Sequence, residues 1–430
     1  MSILDAPGLS KTQADTFYAS KSALSDKVPS TSTGDIMVPL AWDNADNVAL
    51  WLQYGQLGAT GIAPPLADII SAFTIAANNL AKTSSDGRTL FKYRATAGKL
   101  RASLLQQVKV LVTGDSWGEL PPLSQAIADR LYALFGKSAD GWVSVNAGTA
   151  TLNGITATLI GVWTQYDASV AGIAPAHGCG IDGKSISTTA TDGRYLVGNI
   201  TSTEVEIFYQ DLNGYFEYKE SDSGTWKTVT CTNTDTTKSV KITGMANIAR
   251  TIEVRTTAAN TGTVQIHGLY FTRDSVSGAI LNKCGNAGSI AQNLAVFSSK
   301  IGYYATKMDP DAVVIILGTN DNRVAVTVAD FERHLTTLIN AYRAAVPNVG
   351  IILFAPAQTN GVATVPLVNF RNSMARLSAT LGCEFYSLYD EFGTWAQMSA
   401  LGAFDDDFHL STSGSQTPAG RLGIKFFNDR

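Results

Sequence analysis

The sequence predicts an α/β protein whose parallel sheet is interrupted by a separate all-β domain. Short apolar segments followed by amphipathic helices occur near residue 110 and again after residue 312. Between them, from about 146 to 275, the helical periodicity gives way to short runs in which apolar and polar residues alternate. Strands that alternate with helices favour a parallel sheet covered on both faces, whereas closely spaced short strands favour an antiparallel sandwich.

The composition is that of an ordinary folded protein. The chain has 430 residues, 45% of them hydrophobic and 16% charged, with a net charge of −4. Nucleic acid is not an expected partner, because neutralising phosphates takes clustered Lys and Arg. No apolar run approaches the ~18–20 residues that span a bilayer, and the N-terminus lacks the pattern of a secretory signal. We therefore expect a protein made in a cytoplasm, with no membrane insertion.

The first 105 residues divide into two zones. Residues 1–40 are polar and are predicted to be an attachment or oligomerisation segment. Residues 41–105 are predicted to be a mostly helical linker, because apolar residues recur at helical spacing after the turn signal GIAPP. These apolar positions are Leu66, Ile69, Ile70, Phe73, Ala77 and Leu80.

The α/β domain is predicted to consist of residues 106–145 and 276–430. Val108–Val112 has the character of a buried parallel strand, and a helix should follow it with Pro121 in its first turn. The same order returns later, where Val313–Leu317 precedes an amphipathic helix from Val328 to Tyr342. Two further strands are predicted at Ile351–Phe354 and Phe385–Leu388.

Residues 146–275 are predicted to form an inserted β-sandwich of the jelly-roll kind. Six alternating runs are separated by turn formers such as Asn213-Gly214 and Ser223-Gly224. The runs are TEVEIFYQ, GYFEYKE, TWKTVTC, SVKITGM, RTIEVRTT and TVQIHGLYFT.

Two short motifs follow predicted strands of the parallel sheet. Gly114-Asp115-Ser116 follows the first strand, and Gly318-Thr319-Asn320-Asp321 follows Val313–Leu317. Loops at the carboxyl ends of parallel strands form the ligand crevice of such sheets, so Ser116 and Asn320 are expected at the same edge. Taken singly, each motif is also compatible with an ordinary strand-to-helix turn.

A third motif, Asp406-Asp407-Phe408-His409, lies in a polar C-terminal loop. Of the four histidines, His334 falls in a predicted helix and His267 in a predicted strand, whereas His409 is free of both. Asp406 can hold the imidazole Nδ1–H, which leaves Nε2 to accept a proton from a serine. The alternative is an isolated loop histidine without a catalytic role.

Together the three motifs resemble those of the SGNH (or GDSL) hydrolases, a flavodoxin-like α/β group of esterases and lipases. The resemblance covers about 105–145 and 276–430. It implies that Ser116 is the nucleophile, His409 the general base and Asp406 the residue that orients the base. It implies no cofactor and no metal.

The resemblance also implies an oxyanion hole. Its donors would be the backbone N–H of Ser116, a glycine N–H from the block LNKCGNAGS and the side chain of Asn320. In that block Gly288 matches better than Gly285. The block is one residue longer than the family's pattern, and Ser289 stands where an aspartate is frequent.

Other departures are Trp117 in place of a leucine and Leu410 in place of a common proline. The pattern Gly114-x-Ser116-x-Gly118 also fits the nucleophile elbow of α/β-hydrolases. That alternative is less favoured, because in α/β-hydrolases the acid and the histidine come from separate loops, whereas here they are three residues apart.

The N-terminal and central parts of the sequence indicate the kind of protein that carries this esterase-like domain. The run LSKTQADTFYASKSALSDKV is similar to segments of bacteriophage tail fibres and tailspikes, which need no signal peptide and are commonly homotrimers. A sandwich beside an esterase crevice resembles carbohydrate-binding modules, with Trp226, Tyr215 and Tyr218 as candidate stacking residues; burial in the sandwich core is the alternative for them.

We therefore expect a phage receptor-binding protein, carried on the virion tail through its N-terminus. Its activity would be to remove O-acetyl or other short acyl groups from a bacterial surface polysaccharide, either O-antigen or capsule. The alternatives are a bacterial esterase or lipase for small esters and a catalytically silent carbohydrate-binding adhesin.

Overall fold

A computed structural model describes residues 36–42, 48–54, 86–145, 151–220, 225–361 and 363–427, the first two ranges as backbone strands only. The strands are β1 (Ile36–Trp42), β2 (Val48–Tyr54), β3 (Gln107–Gly114), β4 (Gly141–Ser144), β5 (Thr156–Ile160), β6 (Thr164–Asp167), β7 (Lys184–Thr188), β8 (Arg194–Ile200), β9 (Glu204–Gln210), β10 (Tyr215–Glu220), β11 (Lys227–Thr230), β12 (Thr237–Ile242), β13 (Arg250–Arg255), β14 (Val264–Thr272), β15 (Gly278–Gly285), β16 (Ala312–Ile316), β17 (Gly350–Ala355) and β18 (Glu384–Ser387). The helices are α1 (Phe91–Arg101), α2 (Ser116–Glu119), α3 (Pro121–Phe135), α4 (Ala168–Ala171), α5 (Ala291–Ala295), α6 (Ser298–Met308), α7 (Val328–Ala345), α8 (Leu367–Leu381), α9 (Leu388–Glu391), α10 (Trp395–Ala400) and α11 (Thr412–Leu422), and a π-helical turn covers Gly423–Phe427.

The chain divides into two units, residues 1–80 and 81–430. In the first unit β1 and β2 pair antiparallel, which corrects the prediction of a helical linker for Val48–Tyr54. This segment, VALWLQY, contains Val, Trp and Tyr, which favour a pleated strand over a helix. The predicted helical face at 66–80 lies outside the described residues, and the linker zone's described helix is α1.

The second unit contains a five-stranded parallel sheet in the order β15-β3-β16-β17-β18. Counted in chain order, this arrangement is 2-1-3-4-5, the order of flavodoxin-like sheets. The direction of winding reverses between β3 and β16, and ligands bind at such a switch point. The predicted strands were found within one or two residues, whereas β15, the second strand in chain order, was not predicted.

Helices cover both faces of this sheet, as alternate residues of its strands show. Val110 and Val112 of β3 share one core with Leu123 of α3, whereas Leu111 shares the other with Phe331 of α7. Side chains of consecutive strand residues point to opposite faces, so an uninterrupted apolar strand needs a core on each side.

Residues between β3 and β15 form two antiparallel sheets, β11-β10-β13-β8-β5 and β12-β9-β14-β7-β6. Buried side chains from both sheets share one core, in which the rings of Tyr209 (β9) and Phe216 (β10) lie 5.2 Å apart. Phe208 of β9 and Tyr270 of β14 belong to the second core. The six predicted runs coincide with β9 to β14. β4 lies within the range predicted for the α/β domain but pairs with β14 of the antiparallel sheets.

Within the described ranges, no helix has both the length and the apolar character needed to cross a membrane.

Candidate active site

Ser116 lies at the carboxyl end of β3 as the first residue of α2. Gly114 has a φ of +126°, and a Cβ there would lie 1.8 Å from the carbonyl oxygen of Ile316 in β16. Only glycine fits this approach. Asp115 then caps α2, because its side chain accepts a hydrogen bond from the backbone N–H of Trp117 at 3.0 Å. The tight turn and the cap together fix the position of Ser116 above the switch point.

The structure brings Ser116, His409 and Asp406 together across 293 residues of sequence. His409 Nε2 lies 2.9 Å from Ser116 Oγ, and His409 Nδ1 lies 2.7 Å from Asp406 Oδ2. If the carboxylate accepts the Nδ1–H, then Nε2 carries the lone pair that faces the hydroxyl. Ser116 is 7% exposed, so most of its surface is covered by neighbouring residues.

Asp406 also folds the turn that carries His409. Its Oδ1 accepts hydrogen bonds from the backbone N–H groups of Phe408 and His409, both at 2.7 Å. Burial alone would raise the pKa of Asp406, but the hydrogen bonds from His409 and Phe408 outweigh it and lower that pKa. The carboxylate therefore stays charged beside the imidazole at neutral pH.

The two candidate oxyanion glycines differ in their surroundings. Gly285 is the last residue of β15 and is buried. A Cβ added to Gly285 would lie only 2.2 Å from the backbone nitrogen of Glu119. Gly288 lies exposed in the following loop and has a φ of +80°. A Cβ added to Gly288 would have Ser169 as its nearest neighbour, at 3.8 Å. Gly285 therefore allows β15 and α2 to approach each other, and Gly288 is the glycine available to a ligand.

Asn320 follows β16, on the other side of the switch point. Its side-chain amide donates to the carbonyl oxygen of Ser289 at 3.0 Å, which uses one of its two hydrogens. Asp321 accepts a hydrogen bond from the backbone N–H of Ala291 at 2.9 Å. The Asn320 loop is thus tied to the Gly288 loop, although the oxyanion role of either residue stays a prediction.

Two carboxyl groups are buried below these loops. Burial raises the pKa of Asp115 to about 8, with a further contribution from the nearby charge of Asp321. Burial likewise raises the pKa of Asp321 to about 7. Each has one carboxyl oxygen, Oδ2, without a hydrogen-bond partner. Both groups support the loops and do not contact the reacting hydroxyl.

A small cavity of about 10 Å³ lies next to Ser116 and His409. Apart from those two residues its lining is apolar, formed by Trp117, Leu120, Pro122, Leu123 and Leu410. A cavity of this size holds about one water-sized group.

A larger cavity of about 170 Å³ lies at the carboxyl edge of β16 and β17. Its walls are mostly polar, formed by Asn322, Arg323, Gln358, Thr359, Gly361, Ala363, Leu367 and Tyr389. The guanidinium of Arg323 stacks 3.9 Å from the centre of the Phe408 ring, whose centre is 6.1 Å from that of His409. Arg323 and Phe408 therefore link this cavity to the candidate base, His409.

The three predicted sugar-stacking residues differ in exposure: Tyr218 is buried, whereas Tyr215 and Trp226 are half-buried. Tyr218 is 7% exposed and belongs to the core of the antiparallel sheets, which corrects its assignment as a stacking residue. Alternation along β10 explains this burial. Arg255 covers the ring of Trp226 at 3.5 Å, and the hydroxyl of the half-buried Tyr215 donates to Glu217 at 3.0 Å.

Sequence reasoning missed Glu119, Arg323 and Lys184, each of which touches a loop of the site. Glu119 stands one helical turn after Ser116, and that spacing was the only signal for it. Among the described residues, no three His, Cys, Asp or Glu side chains are grouped as a metal site requires.

Comparisons with known proteins agree with this architecture. The GDSL-like lipase/acylhydrolase family profile matches residues 268–417, a span that includes Asn320, Asp406 and His409 but begins after Ser116. None of the curated protein sequences matches the chain.

A solved peptidoglycan O-acetylesterase is 17% identical, with 79% of this chain and 94% of that chain covered and a TM-score of 0.62. A family two carbohydrate esterase from Clostridium thermocellum, in complex with cellohexaose, is 16% identical over 55% of this chain and 92% of that one, with a TM-score of 0.28. A lipase/acylhydrolase from Enterococcus faecalis is 18% identical over 34% and 74%, with a TM-score of 0.27. Only the first likeness supports a shared fold. Residues 268–417, about a third of the chain, are thus similar to the GDSL-like lipase/acylhydrolase family.

Proposed function

We propose that this protein is a serine esterase that removes O-acetyl groups from a bacterial surface polysaccharide. The observation that carries the proposal is the continuous chain of hydrogen bonds from Ser116 through His409 to Asp406. A hydroxyl, an imidazole and a carboxylate in this order form the apparatus of nucleophilic acyl transfer.

In the first half of the reaction, His409 Nε2 takes the proton from Ser116 Oγ while that oxygen attacks the ester carbonyl. Asp406 holds the imidazole in the required tautomer and stabilises the imidazolium that forms. The negative charge on the carbonyl oxygen is stabilised by the N–H groups of Ser116 and Gly288 and by the amide of Asn320. When the intermediate collapses, His409 returns the proton to the departing alcohol and the acyl group stays on Ser116.

In the second half, His409 accepts a proton from water as the water oxygen attacks the acyl-serine. Collapse of this second intermediate releases the carboxylic acid, and Ser116 Oγ recovers its proton from His409. Every proton is returned, so this sequence needs no further reactant.

The sizes of the two cavities support the choice of substrate. The cavity beside Ser116 is small and mostly apolar, which suits the methyl of an acetyl group. The larger polar cavity at Arg323 offers hydrogen-bonding side chains for a sugar that carries the ester.

The first test is the hydrolysis of 4-nitrophenyl acetate by the wild type, Ser116→Ala and Ser299→Ala. Loss of the nucleophile should lower kcat by at least about 10³-fold. Ser299→Ala, an exposed change on α6, should leave kcat unchanged. Hydrolysis at equal rates by the wild type and Ser116→Ala would show that another group is the nucleophile.

The substrate is tested by NMR detection of acetate released from O-acetylated capsular and O-antigen polysaccharides. Release that depends on Ser116 supports the proposal, and 4-nitrophenyl butyrate should then be a poorer substrate than the acetate. Hydrolysis of small esters with no release from any polysaccharide would favour the small-ester esterase. Binding of polysaccharide without hydrolysis of any ester would favour the adhesin.

We further propose that the chain acts on a phage virion tail as a homotrimer attached through its N-terminal segment. The support is the similarity of residues 9–28 to tail-fibre sequences. Sedimentation should give three times the chain mass of 45.6 kDa, and antibodies should label tails in electron micrographs. A monomeric mass would contradict the trimer, and unlabelled tails would contradict the location.

A further inference from the structure

A buried ion pair joins the antiparallel sheets to the helix that carries the candidate nucleophile. Lys184, the first residue of β7, is 3% exposed, and Glu119, the last residue of α2, is 9% exposed. Lys184 Nζ lies 2.5 Å from Glu119 Oε1. Removing one charge of a pair buried in this way leaves the other uncompensated, which is strongly destabilising.

The second carboxylate oxygen of Glu119 holds the candidate oxyanion loop. Glu119 Oε2 accepts a hydrogen bond from the backbone N–H of Ala287, the residue directly before Gly288. Lys283 Nζ donates to the backbone carbonyl of Glu119 at 2.5 Å and so attaches the end of α2 to β15. One carboxylate therefore connects Lys184 on one side with the Gly288 loop on the other.

Further contacts from the same region reach this loop. Asn286 donates its side-chain amide to the carbonyl oxygen of Asp182 at 2.8 Å, just before β7. Asp167, which lies 3.8 Å from Lys184 Nζ, accepts hydrogen bonds from the backbone and hydroxyl of Ser169. Ser169 is in turn the nearest neighbour of Gly288. Lys184 thus lies between two supports of the loop, Glu119 and Asp167.

We propose that Lys184 is a positioning residue for ester hydrolysis: through Glu119 it holds the Ala287–Gly288 loop where the Gly288 N–H meets the developing oxyanion. The inserted β domain is then part of the catalytic apparatus, in addition to any part in binding polysaccharide. This inference rests on the proposed esterase function. Lys184 itself contacts no substrate atom.

The test uses the full chain and 4-nitrophenyl acetate, a substrate too small to need a polysaccharide site. Lys184→Met keeps an unbranched side chain, one atom shorter, and removes its charge. We expect kcat to fall at least about tenfold, since a lost oxyanion donor costs on the order of 10²–10³ and a misplaced one costs part of that. KM should change less than about threefold.

The matched control is Lys238→Met, which breaks another ion pair of the antiparallel sheets, with the buried Asp211 at 2.8 Å. This pair makes no contact with the Gly288 loop, so kcat should stay within about twofold of the wild type. A loss of kcat in Lys184→Met but not in Lys238→Met separates positioning from general weakening of the domain.

Glu119 gives an independent series. Glu119→Gln keeps an oxygen that accepts the Ala287 N–H, whereas Glu119→Ala removes it, so kcat should fall in the order wild type, Gln, Ala with KM nearly constant. If Lys184→Met fails to fold, Lys184→Met combined with Glu119→Gln replaces it, because this pair leaves no charge on either residue.

A folded Lys184→Met, or the folded double variant in its place, with kcat within twofold of the wild type would overturn the inference. So would a Glu119→Ala variant of unchanged kcat. Hydrolysis that survives in Ser116→Ala would instead overturn the proposed function. Hydrolysis that needs Ser116 but not Lys184 would leave that function standing and remove only this inference.

Discussion

Asp406 has two tasks in the turn before His409, and its two carboxylate oxygens divide them. Oδ1 accepts the backbone N–H groups that shape the turn, and Oδ2 accepts from the imidazole. A substitution of Asp406 that keeps Oδ1 and replaces Oδ2 therefore isolates the contribution of the Asp406–His409 hydrogen bond to catalysis.

Asp406→Asn is such a change. The amide oxygen can keep the turn, whereas the amide nitrogen is a donor and favours the imidazole tautomer with its proton on Nε2. We expect kcat for 4-nitrophenyl acetate to fall by about 10² or more, with little change in the melting temperature. The exposed neighbour Asp405 supplies the control, since Asp405→Asn should keep full activity. Full activity in Asp406→Asn would exclude the orienting role.

Asp321 leads to a prediction about stability and pH. Burial raises its pKa to about 7, whereas in the unfolded chain the pKa is about 4. Between these values the folded state binds a proton that the unfolded state lacks, so the stabilisation is complete below about pH 4 and is lost as the pH rises through 7.

Asp321→Asn removes this titration and keeps an oxygen for the Ala291 N–H. Between pH 5 and 7 the free energy of unfolding of the wild type should therefore fall relative to the variant by roughly 2 kcal/mol. Urea unfolding at both pH values measures the difference. Parallel pH profiles of the two proteins would show that Asp321 ionises normally.

The residues of the candidate triad were predictable because their signals are local. Ser116 follows a strand, and Asp406 and His409 share one turn, so short motifs contain them. Lys184 carries no such signal. Its importance comes from burial beside Glu119, a long-range contact that periodicity and spacing do not encode.

At the scale of elements, the approach of β15 to α2 depends on a glycine. A Cβ on Gly285 would lie 2.2 Å from the backbone nitrogen of Glu119 and 2.3 Å from the carbonyl carbon of Gly118. Backbone atoms cannot turn aside as a flexible side chain can, so the two elements would have to separate.

Gly285→Ala should therefore lower the free energy of unfolding by about 3 kcal/mol and reduce kcat with it. Gly302, inside α6, has nothing within 4 Å of its Cβ position, so Gly302→Ala should raise stability by up to about 1 kcal/mol. Denaturant unfolding of both variants checks the contrast. Equal effects at the two glycines would mean that β15 and α2 are not in close contact.

The same strand shows why some elements were missed. β15 reads GAILNKCG, and the polar Asn282 and Lys283 interrupt its apolar run, yet the whole strand is buried. Tertiary partners make this possible: Asn282 accepts from the backbone of Trp142, and Lys283 donates to the Glu119 carbonyl. Strands with continuous apolar character, such as β16 and β17, were predictable because they need no such partners.

At the scale of the whole molecule, the order of strands and helices predicted the α/β class, and the structure has antiparallel strands between β3 and β15. The boundary of the insertion was less predictable, because β4 is only four residues long and its sequence does not reveal that its partner is β14. The prediction of a helical linker was wrong for Val48–Tyr54 for a similar reason, because the pairing of β2 with β1 outweighs any helical tendency of this segment.

The interruption of the parallel sheet has a consequence for the growing chain on the ribosome. β3 ends at Gly114, but its two neighbours in the sheet begin only at Gly278 and Ala312. Translation adds roughly 5–20 residues per second, so β15 is synthesised on the order of ten seconds or more after β3. Ser116 is therefore synthesised 293 residues before His409. If the proposed mechanism holds, the nascent polypeptide cannot hydrolyse esters until translation has passed His409.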